Sequence, residues 1–130
     1  MIKIKNKIIN DKSEPFIIAE LGINHQGSLK IAKRMALLAI KNGANAIKNQ
    51  THLVDEEMVD EAKNVIPSNA KKSIYNVVKT NCLKFNDEIK LKNFVEKKGV
   101  VYISTPFSLE AAQKLNRINL KIFKIGSGEC

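Results

Sequence analysis

Two rhythms of apolar and polar residues alternate along this chain. Residues 2–9 read Ile-Lys-Ile-Lys-Asn-Lys-Ile-Ile, a period of two that predicts a short strand or hairpin. The polar stretch 10–15 that follows predicts a turn. Four short apolar runs come next, at 16–20, 45–51, 100–104 and 122–125, and each turns polar at its C-terminal end. The first, Phe-Ile-Ile-Ala-Glu, is apolar almost to its last residue, as expected of a parallel strand covered on both faces. Between the runs the spacing changes to that of a helix, with Leu29, Ala32, Ala36, Ala39 and Ile40 on one face. Ile74, Val77, Val78 and Cys82 form a second such face, Leu91, Phe94 and Val95 a third, and Leu109, Ala111, Ala112 and Leu115 a fourth. Ser28, Asn86 and Ser108 stand where helix N-caps are expected, and Asn42-Gly43 and Gly99 where helices stop.

Strands that alternate with helices require parallel pairing and right-handed crossovers. Two architectures satisfy that order: an open doubly wound sheet, or the N-terminal half of a (β/α)8 barrel, a fold of about 250 residues when whole. In both, chemistry belongs at the C-terminal ends of the strands. The division expected is an N-terminal hairpin and turn at 1–15, then the first four β/α units of a barrel at 16–130. Residues 53–67 make a long, initially acidic excursion after the second strand, with Asp55, Glu56, Glu57, Asp60 and Glu61. Excursions of that length are commonly functional.

Composition narrows the picture. The chain has 130 residues, enough for one domain with a core, and 44% hydrophobic with 27% charged residues is an ordinary globular balance. No apolar run is long enough to cross a membrane, and the start lacks the apolar core of a signal peptide, so a cytoplasmic protein is expected. Cys82 and Cys130 have no metal-ligand spacing; Cys82 is expected as a small buried residue, and nothing local marks Cys130 as a nucleophile. A formal charge of +9 raises nucleic acid as a partner. Against that, the lysines are dispersed, arginine occurs only at 34 and 117, and no aromatic run offers a stacking surface. The lysines therefore read as solvated outer helix faces. A basic, non-catalytic α/β module that binds nucleic acid stays as the alternative of another class, marked by steeply salt-dependent affinity.

The polar strand ends carry the candidate chemistry. Lys48, Thr105, Lys124 and Ser127, with the Gly126 and Gly128 amides, suit a small polyanion such as a phosphorylated carboxylate. Glu20 closes an apolar strand. A carboxylate there is a ligand-binding or acid/base group, or the partner of a buried lysine such as Lys48. Ser127 has a plainer alternative, shaping a Gly-Ser-Gly turn. His25 and His52 lie in different loops without helical spacing, which does not make a metal site; His25 is expected to cap its loop by hydrogen bonding. No P-loop, nucleophile elbow or dinucleotide fingerprint is present.

Four blocks then point to a family. Residues 16–27 (Phe-Ile-Ile-Ala-Glu-Leu-Gly-Ile-Asn-His-Gln-Gly), 47–52 (Ile-Lys-Asn-Gln-Thr-His), 104–108 (Ser-Thr-Pro-Phe-Ser) and 123–130 (Phe-Lys-Ile-Gly-Ser-Gly-Glu-Cys) closely resemble the N-acetylneuraminate (sialic acid) synthases. The Val-Ile-Pro-Ser-Asn that ends at residue 69 is similar to synthases acting on N-acetylmannosamine. The resemblance implies a (β/α)8 barrel followed by a small antifreeze-like domain that reaches over the partner's site in a homodimer. It implies condensation of phosphoenolpyruvate with an N-acetylated hexose, assisted by a divalent metal, Mn²⁺ or Mg²⁺, acting as a Lewis acid on the sugar aldehyde. Lys48, Gln50, Thr105, Lys124 and Ser127 match phosphoenolpyruvate contacts. Glu20 and Asn69 match contacts to the amino sugar, and Glu20 is the candidate catalytic group. Position 49, where the family commonly carries a histidine or an aromatic residue, holds Asn49, which bears on local packing or substrate fit.

The resemblance also places the metal-binding histidines on later strands than these four, so no metal ligand is expected in this chain. A half barrel alone would expose two strand edges and much of its core. The 130 residues alone are therefore expected to be unstable or aggregation-prone, and inactive; a soluble monomer that unfolds cooperatively would refute this. A legionaminic or pseudaminic acid synthase is the alternative within the enzymes.

Overall fold

A computed structural model describes residues 1–129; Cys130 and the side chain of Glu129 lie outside the described residues. The chain opens with the antiparallel hairpin β1 (Ile2–Ile4) and β2 (Lys7–Ile9), with Ile2 opposite Ile9. Lys5 in its turn donates to the carbonyls of Gly99 and Val100, 3.2 Å each, which ties the hairpin to the entry of a later strand.

Next come β3 (Ile18–Gly22), α1 (Leu29–Lys41), β4 (Ala46–Thr51), α2 (Val54–Glu57), α3 (Ile74–Asn81), α4 (Phe85–Glu96), β5 (Val101–Pro106) and α5 (Leu109–Arg117). Short 3₁₀ turns occupy Asp60–Lys63 and Ser127–Glu129. The three later strands form one parallel sheet in the order β3-β4-β5. The expected α/β order with a parallel sheet is therefore present. Among the described residues no helix is long and apolar enough to cross a membrane.

Local chemistry explains the helix limits. Ser28 Oγ accepts the Ile31 N–H at 3.3 Å, and Ser108 Oγ accepts the Ala111 N–H at 3.1 Å. Asn42 closes α1, and Gly43 follows with φ +91°. The expected cap at Asn86 is corrected: α4 starts two residues earlier, at Phe85, with Lys84 at the N-cap and no side-chain cap bond. Asp87 and Glu88 place negative charge in that first turn, where the helix dipole favours it. Ser73 caps α3. Cys82 ends α3, half-buried against the small cluster of Val54, Tyr75 and Val78, and burial pushes its thiol upward.

Alternation along the strands sorts the core onto two faces. Ile47 and Tyr102 join Ala32, Ala36, Leu91, Val95 and Leu115 beneath α1, α4 and α5. Ala46, Val101 and Ile103 face the other way and meet Ile4, Phe16 and Ile122 near the N-terminal strand ends. Beyond them that face opens along β3, where Ile18 and Glu20 are exposed, whereas Thr105 on β5 is buried at 2% exposure. This corrects the expectation that the first strand is covered on both sides, because Ile18 is 48% exposed. The fourth expected strand, 122–125, is also reduced. Phe123 makes one isolated parallel bridge to Ser104, and Lys124 N–H donates to Ser104 O at 3.1 Å. A segment that pairs on one side only and runs at once into a Gly-Ser-Gly turn gains too few ladder bonds to extend further.

Candidate functional site

The open face at the C-terminal strand ends gathers four of the sequence-predicted site residues. Glu20 on β3 stands in register with Lys48 on β4, and Gln50 on β4 with Thr105 on β5. Residues two apart on a strand share a face, so Lys48 and Gln50 lie side by side, opposite in direction to Ile47 and Asn49. Lys48 Nζ lies 3.0 Å from a Glu20 carboxylate oxygen; the lysine side chain is 12% exposed and that of the glutamate 53%. Lys48 is thus a sunken cation whose charged partner, Glu20, stands half in water. This bears out the pairing of Glu20 with a buried lysine and leaves its outer oxygen open to a ligand. An anion with more charge than one carboxylate can compete for Lys48.

Lys124 follows the residue bridged to Ser104, so its register is that of Thr105 and it shares the open face. Ser127 is exposed in the turn Ser127–Glu129. Asn69 is exposed in the segment before α3, and none of the described hydrogen bonds links it to the strand ends. The structure therefore brings together Glu20, Lys48, Gln50 and Thr105, adds Lys124 by register, and leaves Ser127 and Asn69 apart from them.

Asn49 points to the helix side and is fully buried, so it bears on packing and not on the open face. Its Oδ1 meets His25 Nε2 at 3.3 Å, and its amide donates to Gln50 O at 3.2 Å. His25 Nδ1 accepts the Gly27 N–H at 3.2 Å, so the ring donates from Nε2 to Asn49. Burial holds the His25 ring below the usual histidine range, against the Asn49 hydrogen bond, which raises it. The loop cap expected of His25 is present.

Three groups were not visible as a unit in the sequence. Glu88, 1% exposed on α4, accepts through Oε1 from Thr51 Oγ1 at 2.7 Å, Ser104 Oγ at 2.9 Å and Tyr102 OH at 3.1 Å. Burial raises its carboxyl, while the hydrogen bonds from Thr51, Asn49, Ser104 and Tyr102 oppose that shift. The one available signal is spacing: Glu88, Leu91, Lys92 and Val95 occupy one helical stripe, and a carboxylate on a buried stripe demands partners. Beyond the strand end, His52 Nδ1 lies 2.8 Å from Glu57 Oε1 and Nε2 lies 3.4 Å from Gln50 Oε1, with the ring stacked on Phe107 at 4.4 Å and 9°. On α3, Tyr75 donates to Asp55 and receives Lys79 Nζ at 2.7 Å, which fastens α2 to α3. Hydrogen bonding from Tyr75 holds the Asp55 carboxyl down, and the same hydroxyl raises Lys79.

A cavity of about 760 Å³ lies beyond His52, bounded by Asp55, Lys79, Lys84, Asp87 and Lys114. It excludes Lys48, Gln50 and Thr105, and its mixed charges do not match a polyanion. The described residues also do not fit the divalent metal implied by the resemblance. No group of three His, Cys, Asp or Glu among them could hold one, and both histidines are committed to protein partners.

An N,N'-diacetyllegionaminic acid synthase of Campylobacter jejuni is 36% identical over 129 residues, covering 87% of this chain and 35% of that protein. The human N-acetylneuraminate-9-phosphate synthase is 32% identical over 118 residues, covering 88% of this chain and 33% of its own length. The crystal structure of a sialic acid synthetase from Leptospira borgpetersenii serovar Hardjo-bovis, in complex with citrate, superposes with a TM-score of 0.79 at 31% identity, over 95% of this chain and 40% of that one. The chain thus spans about a third of the length of the curated relatives it matches. The family model described as "NeuB family" matches residues 35–130, which hold Lys48, Gln50, Thr105 and Lys124, and the chain belongs to that family.

Proposed function

We propose that the open face binds phosphoenolpyruvate, as part of a (β/α)8 synthase that condenses it with N-acetylmannosamine to give N-acetylneuraminate. The observation that carries this reading is the sunken Lys48, 12% exposed, on one strand-end surface with Gln50 and Thr105. A buried ammonium is costly unless its partner is strong. Glu20, half in water, satisfies it only in part, which suits a site awaiting an anion. Lys48 and Lys124 act as point charges toward phosphate or carboxylate. The Gln50 amide and the Thr105 hydroxyl supply directional hydrogen bonds. Ser127 and the backbone beside it would complete the anion contacts, and Glu20 and Asn69 would meet the amino sugar.

In the proposed reaction the methylene carbon of phosphoenolpyruvate bonds to the aldehyde carbon of the open-chain sugar, and the aldehyde oxygen takes a proton. Water adds to the former enol carbon and gives up a proton; the bond from that carbon to the phosphate oxygen then breaks, the new hydroxyl loses its proton as the keto group forms, and inorganic phosphate leaves. Glu20, beside Lys48, is placed to orient the sugar or to move a proton. A homodimer, and a metal held by residues outside these 130, belong to the same proposal. So does the absence of turnover by this chain alone, which supplies anion contacts without metal ligands among its described residues.

Calorimetric titration with phosphoenolpyruvate tests the anion site. Lys48→Ala is expected to weaken binding about 10–100-fold, the worth of about 1.5–3 kcal/mol for a charged hydrogen bond. Equal binding by the variant refutes the assignment. For the sugar, phosphate release by the complete synthase with N-acetylmannosamine against diacetamido hexoses separates this reading from legionaminic or pseudaminic acid synthesis.

A further inference from the structure

His52 is gripped from three sides. Phe107 stacks on the ring, Glu57 Oε1 lies 2.8 Å from Nδ1, and Gln50 Oε1 lies 3.4 Å from Nε2. Its side chain is 8% exposed and that of Glu57 4%. We propose that His52 is a positioning residue for Gln50: the charge on its ring selects which end of the Gln50 amide faces the anion site. The inference rests on the reading of Gln50 and Lys48 as anion contacts.

The donor inventory supports this. A carboxylate only accepts, so Nδ1 carries a proton toward Glu57. The far nitrogen then decides the outcome. A neutral ring leaves Nε2 bare, and a bare nitrogen pairs with the NH₂ of Gln50, which turns the Gln50 carbonyl to the open face and repels an anion. A charged ring donates from Nε2 to the Gln50 carbonyl, 3.4 Å away, and turns the NH₂ to the open face as a donor. The two ends of an amide are nearly isosteric, so the flip needs little repacking.

A second observation points the same way. Glu57 Oε2 is buried without a hydrogen-bond partner. A buried carboxylate with one oxygen orphaned is stabilised by a full positive charge beside it. A protonated His52 ring, 2.8 Å away, would supply that charge. The other charged groups around the ring line the cavity beyond it: Asp55 and Glu56 from α2, Lys79 from α3, Lys84 and Asp87 at the start of α4, and Glu110 and Lys114 from α5. Glu57 is the charged group with a described contact to the ring. Phe107 fixes the ring plane without adding charge.

Two measurements test the proposal. In the ligand-free, ¹⁵N-labelled complete synthase, the Gln50 side-chain amide resonances are followed from about pH 5 to about pH 8, the span over which imidazoles ordinarily change charge. They are expected to move together with the His52 ring nitrogens and to stay still in His52→Phe, which keeps the stack on Phe107. A Gln50 amide that ignores the His52 titration overturns the proposal, whether or not any ligand binds.

Calorimetry with phosphoenolpyruvate is the second readout. The ratio of wild-type to His52→Phe affinity cancels the ligand's own phosphate titration. It is expected to be about 2–10-fold larger at about pH 6 than at about pH 8, the worth of one hydrogen bond. A ratio that does not change overturns the proposal. Phosphoenolpyruvate that binds wild type and Lys48→Ala equally defeats the anion-site reading instead, and the amide resonances then decide the His52 role alone.

Discussion

Glu88 is the sharpest place to test the physics of this fold. Thr51, Ser104 and Tyr102 all reach its Oε1, and Thr51 and Ser104 also lie 2.7 Å from each other. Burial pushes this carboxyl upward, against the hydrogen bonds from Thr51, Asn49, Ser104 and Tyr102 that hold it down. The sign follows from linkage. A carboxyl raised in the folded state leaves the folded chain binding more protons, so stability falls as pH rises from the ordinary glutamate value to the folded one. One proton limits that slope to about 1.4 kcal/mol per pH unit. His25 acts oppositely. Burial lowers its ring, so its contribution is present above the ordinary histidine value and is lost as pH falls. Comparing Glu88→Gln with wild type at each pH cancels the His25 term. Urea unfolding from about pH 4 to about pH 8 is expected to show the variant gaining on wild type as pH rises, because the amide mimics the protonated acid. Glu88→Ala instead strands Tyr102 OH, at about 1–3 kcal/mol, and removes buried carbon worth about 1–2 kcal/mol. Against a total stability of about 5–15 kcal/mol, that is a severe loss. A difference between wild type and Glu88→Gln that is flat with pH refutes the argument.

Two further outcomes follow from the geometry. Gly27 has φ +70°, and a Cβ there would lie 3.1 Å from Thr80 O and 3.2 Å from Cys82 O, so Gly27→Ala is expected to cost about 1–3 kcal/mol in urea unfolding; an unchanged midpoint refutes the close approach. Glu20→Gln frees Lys48 from a half-exposed pair worth about 0.2–1 kcal/mol, so phosphoenolpyruvate is expected to bind about 1.4–5-fold tighter by calorimetry, while weaker or unchanged binding refutes Glu20 as the competitor for Lys48.

What the sequence discloses, and what it hides, has a physical pattern. Ser28, Ser108, Gly43 and Gly99 were legible because a cap or stop depends on residues within one turn of itself. The polar ends of β3, β4 and β5 were legible for the same local reason. Period-two alternation then separates Lys48 and Gln50 from Ile47 and Asn49 without knowledge of any partner. The partners themselves were hidden. Glu88 in a first turn reads as a residue complementing the helix dipole, and it does complement the dipole. Nothing local announces that the side chain turns inward to three hydroxyls, two of them on another strand. The strand at 122–125 was over-read for a related reason. Its residues favour extended backbone, but a strand is made by its neighbours, and Phe123 finds one bridge partner in Ser104. The same rule explains why Asn69 and Ser127 are harder to place than Lys48. A lysine inside a paired strand inherits its position from the ladder, whereas a residue in an exposed turn is positioned by whatever packs upon it. The candidate site is therefore most legible where it is built on strands, and those are the residues whose geometry can hold an anion before the sugar arrives.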